Sequence, residues 1–258
     1  MNQPMYAVLT LTLYTFAQPL TATGTIGAPL NGQEIADKAA ASSCARHNWK
    51  NRGRAPLGYI KGMALSYAKS VCDRRTGVDS ALRVIGGALG SKSDDALAWY
   101  KANGFPSSDP LRDVYTLAIG EGMMESAGNT TEGRDTTVTA PTPETAEAGL
   151  FQSSFDSFNK DPALRRLRDA YSTDPAACRL DVFMQGVRDK RRPVFGTGPA
   201  ADFQTMTKEC PAFAVNYALV LLRVLRKHFG PINRLQAEFR PECTAMLTDI
   251  ETMVKCEE

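Results

Sequence analysis

Glu125 stands near the end of an apolar run, VYTLAIGEGMMES, and is followed by a loop of little apolar content that carries Asp135, Glu144 and Glu147. The chain then re-enters a small and apolar turn, Gly149-Leu150-Phe151-Gln152. On a mostly apolar helix, desolvation disfavours the charged form of a carboxylic acid, which then holds its proton toward neutral pH. A second carboxylate in a wet loop stays ionised. One protonated and one ionised carboxyl on a common groove is the physical requirement for cutting a glycosidic bond. Glu121 lies one helical turn before Glu125 and is expected to be an exposed or supporting residue. Two Glu on a helix also read simply as a solvated stripe, and only the turn that follows argues otherwise.

The segment Glu125-Ser126-x-Gly128-Asn129, followed by Gly149-Leu150-Phe151-Gln152, resembles the goose-type lysozymes and soluble lytic transglycosylases of the wider lysozyme-like fold. The matched part runs from Glu121 to Gln152 in a chain of 258 residues, and Phe151 stands where that family has Met. No A-Y-N-A-G segment follows; the nearest candidates are Asn216-Tyr217-Ala218 and His228-Phe229-Gly230-Pro231.

The resemblance implies Glu125 as the catalytic acid and cleavage of the β-1,4 links of peptidoglycan, with chitin-type oligomers as the nearest substrate variant. It also implies a second carboxylate, Asp135 or Asp156. Asp135 is favoured, with Arg134 orienting it through a charge-assisted bond. The implied substrate contacts are Ser126, Gly149, Leu150, Phe151, Gln152 and Tyr217. A ring offers a sugar a flat apolar face, and an amide bonds an N-acetyl or hydroxyl group. Ser126 and Asn129 also suit a helix end by themselves.

A retaining hydrolase needs its two carboxyls roughly 5 Å apart, an inverting one roughly 6.5–9.5 Å. A lytic transglycosylase needs one Glu, acting as acid and then base while the substrate's own 6-hydroxyl attacks. Both remain open at this point. A non-catalytic glycan- or cell-wall-binding protein that keeps the cleft is the alternative from another class. A cell-wall interaction protein working through Arg clusters is a third, and its binding would fall steeply with salt.

Hydrophobic content of 43% and charged content of 22% are those of an ordinary globular protein. A formal net charge of +2 argues against nucleic acid as the main partner. The basic residues gather at Arg165, Arg166 and Arg168 and again at Arg188, Lys190, Arg191 and Arg192. These read as solvated faces, with affinity for an anionic wall polymer as the sharper reading.

The six cysteines, Cys44, Cys72, Cys178, Cys210, Cys243 and Cys256, have no C-x-x-C spacing, so no metal site or cofactor is expected. Scattered and even in number, they imply at least two disulfides and an oxidising compartment, hence a secreted or periplasmic protein. Cys44–Cys72, and Cys243 with another late cysteine, are the expected pairs. His47 and His228 are the two histidines, and neither joins a Ser-His-Asp or Cys-His arrangement.

Positioning these residues falls to helices. Residues 1–32 are read as an apolar segment and a Gly- and Pro-containing linker; the run over residues 5–22 has no preceding Lys or Arg and reads as a degenerate or incomplete export signal rather than a stable membrane span, with a plain N-terminal strand or disordered arm as the close alternative. Residues 33–258 are expected to form one mainly α, lysozyme-like domain with a long active-site loop and at most a small β-ribbon, placed at 129–148. Asp109-Pro110 predicts a helix start and Gly128-Asn129 a stop, giving a helix over roughly 110–126 that carries Glu125. Ser93-Asp94 is expected to cap a helix ending at Gly104. FAVNYALVLLRVLRKHF is the most hydrophobic helix and the expected centre of the core.

Overall fold

The computed structural model describes residues 31–77, 81–104, 107–137, 139–187, 193–227 and 230–256. The apolar run over 5–22, most of the linker, the second basic cluster and His228 lie outside them.

The chain is mainly α-helical. Helix α1 (Gly32–Ala41) and the short α2 (Ser43–Arg46) come from the Ala-rich segment, which Ser42 divides by turning extended and capping Ala45 N–H with its hydroxyl. A two-stranded antiparallel ribbon follows, β1 (Asn48–Trp49) against β2 (Gly53–Arg54), with Asn48 opposite Arg54. Helix α3 (Leu57–Thr76) then runs through the middle of the molecule and ends at Gly77 in the left-handed conformation. After it come α4 (Ala96–Asn103), α5 (Pro110–Ser126), α6 (Pro162–Thr173) and α7 (Leu180–Phe183). The chain closes with α8 (Pro199–Glu209), α9 (Pro211–Leu225) and α10 (Pro241–Met253).

Helix α3 packs on α1, α7, α9, α10 and α5, while α9 also packs on α6 and α8. The core is therefore shared between α3 and α9. Tyr59, Met63 and Tyr67, at helical spacing on α3, are all fully buried. A polar thread ties four helices inside this core. The Tyr115 hydroxyl lies 2.8 Å from that of Ser70 and 3.0 Å from Asn216 Oδ1, and Asn216 Nδ2 donates to the Tyr171 hydroxyl at 2.7 Å. Satisfied buried polar groups of this kind fix one packing arrangement among many apolar ones. Here they set the depth of α5 against α3, α6 and α9.

Three expectations are corrected. The ribbon is at Asn48–Arg54 rather than 129–148, where the regular pairing is one isolated bridge between Ala148 and Ser153. The cap of α4 is Asp95, whose carboxylate accepts from Leu97 N–H and Ala98 N–H and is fully buried in an ion pair with Arg223. Ser93-Asp94 instead form the exposed turn before it. The six cysteines do pair, but as Cys44–Cys243, Cys72–Cys256 and Cys178–Cys210. Cys44 and Cys72 each reach the C-terminal region because α10 lies against α2 and α3. Two bridges thus span separations of 199 and 184 residues, one fastening α10 to α2 and the other fastening the segment after α10 to α3. A set of three disulfides fits an oxidising, extracellular type of environment. Among the described residues, no helix is long and apolar enough to cross a membrane.

Candidate active site

Helix α5 starts where Asp109 accepts from Leu111 N–H and Pro110 takes the first helical position, as the sequence predicts. Its buried stripe includes Leu111, Val114, Leu117, Ala118 and Met123. It stops because Ala127 and then Gly128 adopt left-handed backbone, with φ of 56° and 73°. The Ala127 N–H bonds to the Met123 carbonyl and the Gly128 N–H to the Gly122 carbonyl. Ser126 completes this stop. Its hydroxyl donates to the Gly122 carbonyl and accepts from Asn129 N–H, so its one donor is spent within the protein. Asn129 is buried too, its side-chain oxygen accepting from Thr131 N–H and the Thr131 hydroxyl.

Glu125 thereby sits in the last turn of α5, at the wall of a polar groove of about 470 Å³. The loop from Ala127 to Gln152 forms the facing wall, contributing Asp135, Glu147 and Gln152, while Arg52 from the ribbon and Arg234 from the segment after α9 complete the rim. The loop rests on α8. The Thr130 hydroxyl donates to the Lys208 carbonyl, and Gln204 Nε2 donates to the Pro143 carbonyl. Gly149 must be glycine on two counts: its φ is 76°, and a Cβ would fall 2.7 Å from the Thr207 carbonyl oxygen. The Gly149 N–H also bonds the Glu132 carbonyl, drawing the two ends of the loop together.

Burial pushes the Glu125 carboxyl up to about 7, and the nearby Glu147 charge adds to the effect, against the opposing pull of Arg234 and Arg52. Glu147 is itself raised, by burial first and then by Asp135 and Asp156. Asp135 goes the other way. The Thr137 hydroxyl and N–H both donate to its carboxylate and hold it below the usual range. The groove therefore carries one carboxyl poised to hold a proton near neutrality and one fixed as an anion. Arg134 supports Asp135 by charge, although its guanidinium lies over the Phe195 ring, 4.9 Å from the centroid.

Of the residues singled out in the sequence, the groove gathers Glu125, Ser126, Arg134, Asp135, Glu147 and Gln152. It does not gather the others. Leu150 and Phe151 point into the core at 0% and 2% exposure, and Gly149 is taken up against α8. Tyr217 is fully buried on α9, its hydroxyl 2.7 Å from that of Ser157. Asp156 lies outside the lining, its carboxylate accepting from the Ser154 hydroxyl. Tyr100 on α4 is buried as well, with its hydroxyl donating toward the Ile232 carbonyl at 3.5 Å.

Glu121 is the larger surprise. It is neither exposed nor peripheral but 1% exposed, beneath Glu125. Its burial pushes it well above the usual carboxylate range, and the Glu125 charge pushes it further in the same direction. The glycine-bracketed pattern Gly120-Glu121-Gly122 was the available signal: Gly122 leaves room for the Tyr59 hydroxyl, 2.3 Å from where a Cβ would be. Close packing on both sides of a Glu buries it. Arg52 and Arg234 carry no such signal, because they arrive from distant segments.

No protein-family model, no curated protein and no solved structure matches this chain.

Proposed function

We propose that this protein is a lysozyme-like, glycoside-cleaving enzyme acting on the β-1,4 links of peptidoglycan, secreted or periplasmic. The observation that carries the reading is the pair of opposite environments across one groove: Glu125 pushed up to about 7 by burial, and Asp135 held ionised by Thr137. Glu125 is the general acid. It gives its proton to the glycosidic oxygen, the bond from that oxygen to the sugar C1 breaks, and positive charge develops on the sugar ring. Asp135 and Glu147 supply the negative field that stabilises this charge. Water or the sugar's own 6-hydroxyl then attacks C1 and returns a proton to Glu125. The polar rim, with Gln152 and Arg234, suits hydroxyl and acetamido groups better than an apolar ligand.

Incubation with purified muropeptide polymer, followed by mass spectrometry, tests this. New reducing ends report a hydrolase, and 1,6-anhydro ends a transglycosylase. Intact polymer retained on the protein would replace the enzyme by the glycan-binding alternative.

A further inference from the structure

We propose that Glu121 is a positioning residue for Glu125: a carboxyl that keeps its proton at the groove floor and donates a hydrogen bond to the Glu125 carboxylate each time Glu125 gives up its own. The proposal rests on the reading of Glu125 as the acid, and it adds a second carboxyl to that site.

The geometry behind it is simple. Glu121 and Glu125 are one turn apart on α5, so their side chains lie on the same face. Glu121 is buried and Glu125 reaches the groove. Spaced one turn apart on that face, the two carboxyls act on one another. Two carboxyls in one poorly hydrated site do not both ionise, and the deeper one keeps the shared proton.

The groups around the pair leave it this role. On α3, the Tyr59 hydroxyl donates to the Ala118 and Ile119 carbonyls, and on α4 the Tyr100 hydroxyl faces the Ile232 carbonyl. Both phenols are raised by burial first and by Glu121 second. Arg234 pulls both carboxyls down by charge, and its Nε bonds Gln236. Glu238 packs its backbone on α5 and directs its carboxylate to the Lys50 N–H and His47. Glu147 and Arg52 act on Glu125 from the groove side.

During catalysis the Glu121 proton does not transfer. Glu125 loses its proton to the leaving oxygen, receives the Glu121 hydrogen bond as an anion, and regains a proton from the attacking hydroxyl. A floor of fixed donor geometry thus steadies the one charge that appears and disappears on the enzyme.

Carboxyl-carbon NMR titration of Glu125, recorded without substrate in the parent, Glu121→Gln and Glu121→Leu proteins, tests the idea apart from any activity. Gln keeps a neutral donor, so its Glu125 midpoint should match the parent's. Leu removes the donor, so its midpoint should rise by about one pH unit, the size of one charge-assisted hydrogen bond. In turnover of muropeptide polymer, the alkaline limb should shift upward with it for Leu and stay in place for Gln. A Glu125 midpoint that falls in Glu121→Gln means Glu121 is an anion in the parent and overturns the proposal. An unmoved midpoint in Glu121→Leu overturns it as well. Should Leu fail to fold, the Gln titration decides alone. Should the parent leave the polymer intact, the enzyme reading fails while the titration still judges the pair.

Discussion

The two walls of the groove are built by different physics. The α5 wall is a helix whose apolar face is sunk in the core, so Glu125 is positioned by close packing and by the helix ladder. The loop wall, Ala127–Gln152, has almost no regular pairing and is held by single bonds: Thr130 to the Lys208 carbonyl, Asn129 to Thr131, Gly149 N–H to the Glu132 carbonyl. The comparison teaches a division of labour. Burial tunes the proton-holding carboxyl on the helix, whereas local hydroxyl and N–H donors tune the anion on the loop. A wall made of packing resists displacement, and a wall made of separate bonds follows its anchors.

The largest expected effect tests whether the helix wall is the working one. Glu125→Gln keeps shape and hydrogen bonding but removes the transferable proton. Turnover of muropeptide polymer should fall by roughly 10²-fold or more, with glycan binding retained in a pull-down. Asp135→Asn, on the loop, should cost less. A Gln variant that clears the polymer at the parent rate would remove Glu125 as the acid.

The next effect is on stability against pH. A carboxyl whose folded value lies above its unfolded one stabilises the fold fully below the unfolded value, and this contribution is lost as pH rises through the folded value. For Glu125 the window runs from the ordinary carboxylate range up to about 7, and Glu121 extends it upward. Stability should therefore fall between pH 5 and pH 8, by up to about 3 kcal/mol for a shift of this size. Urea denaturation across that range measures it, and Glu121→Gln should flatten the slope. A stability that rises over the same interval would contradict the burial of the pair.

Smaller effects probe the loop's seat and the helix stop. Gly149→Ala meets both the positive φ and the Thr207 carbonyl, and should cost about 2 kcal/mol while loosening the loop. Hydrogen exchange should speed up at Thr130–Ser153 and stay unchanged along α5; acceleration in both would deny the division between the walls. Ala127→Gly should act in the opposite direction. It relieves a left-handed alanine at φ 56° and should stabilise by up to about 1 kcal/mol, read as a shift in the urea midpoint.

What the sequence determined alone was local. The Asp109-Pro110 start, the Gly128 stop and the apolar stripe between them fixed α5 and the place of Glu125 on it, because capping and periodicity act over a few residues. The mainly α class and the pairing of cysteines were legible for the same kind of reason, composition and spacing. The connectivity was not: Cys44 reaches Cys243 because α10 lies against α2, a contact between segments 199 residues apart. The tertiary structure likewise decided which face of the Gly149–Gln152 turn looks outward. It sent Leu150 and Phe151 into the core and left Gln152 to the groove. It also buried Glu121 beneath Glu125 and brought Arg52 and Arg234 to the rim. Burial and the approach of charges from distant segments are sums over the whole packed chain, and those sums set which carboxyl holds a proton.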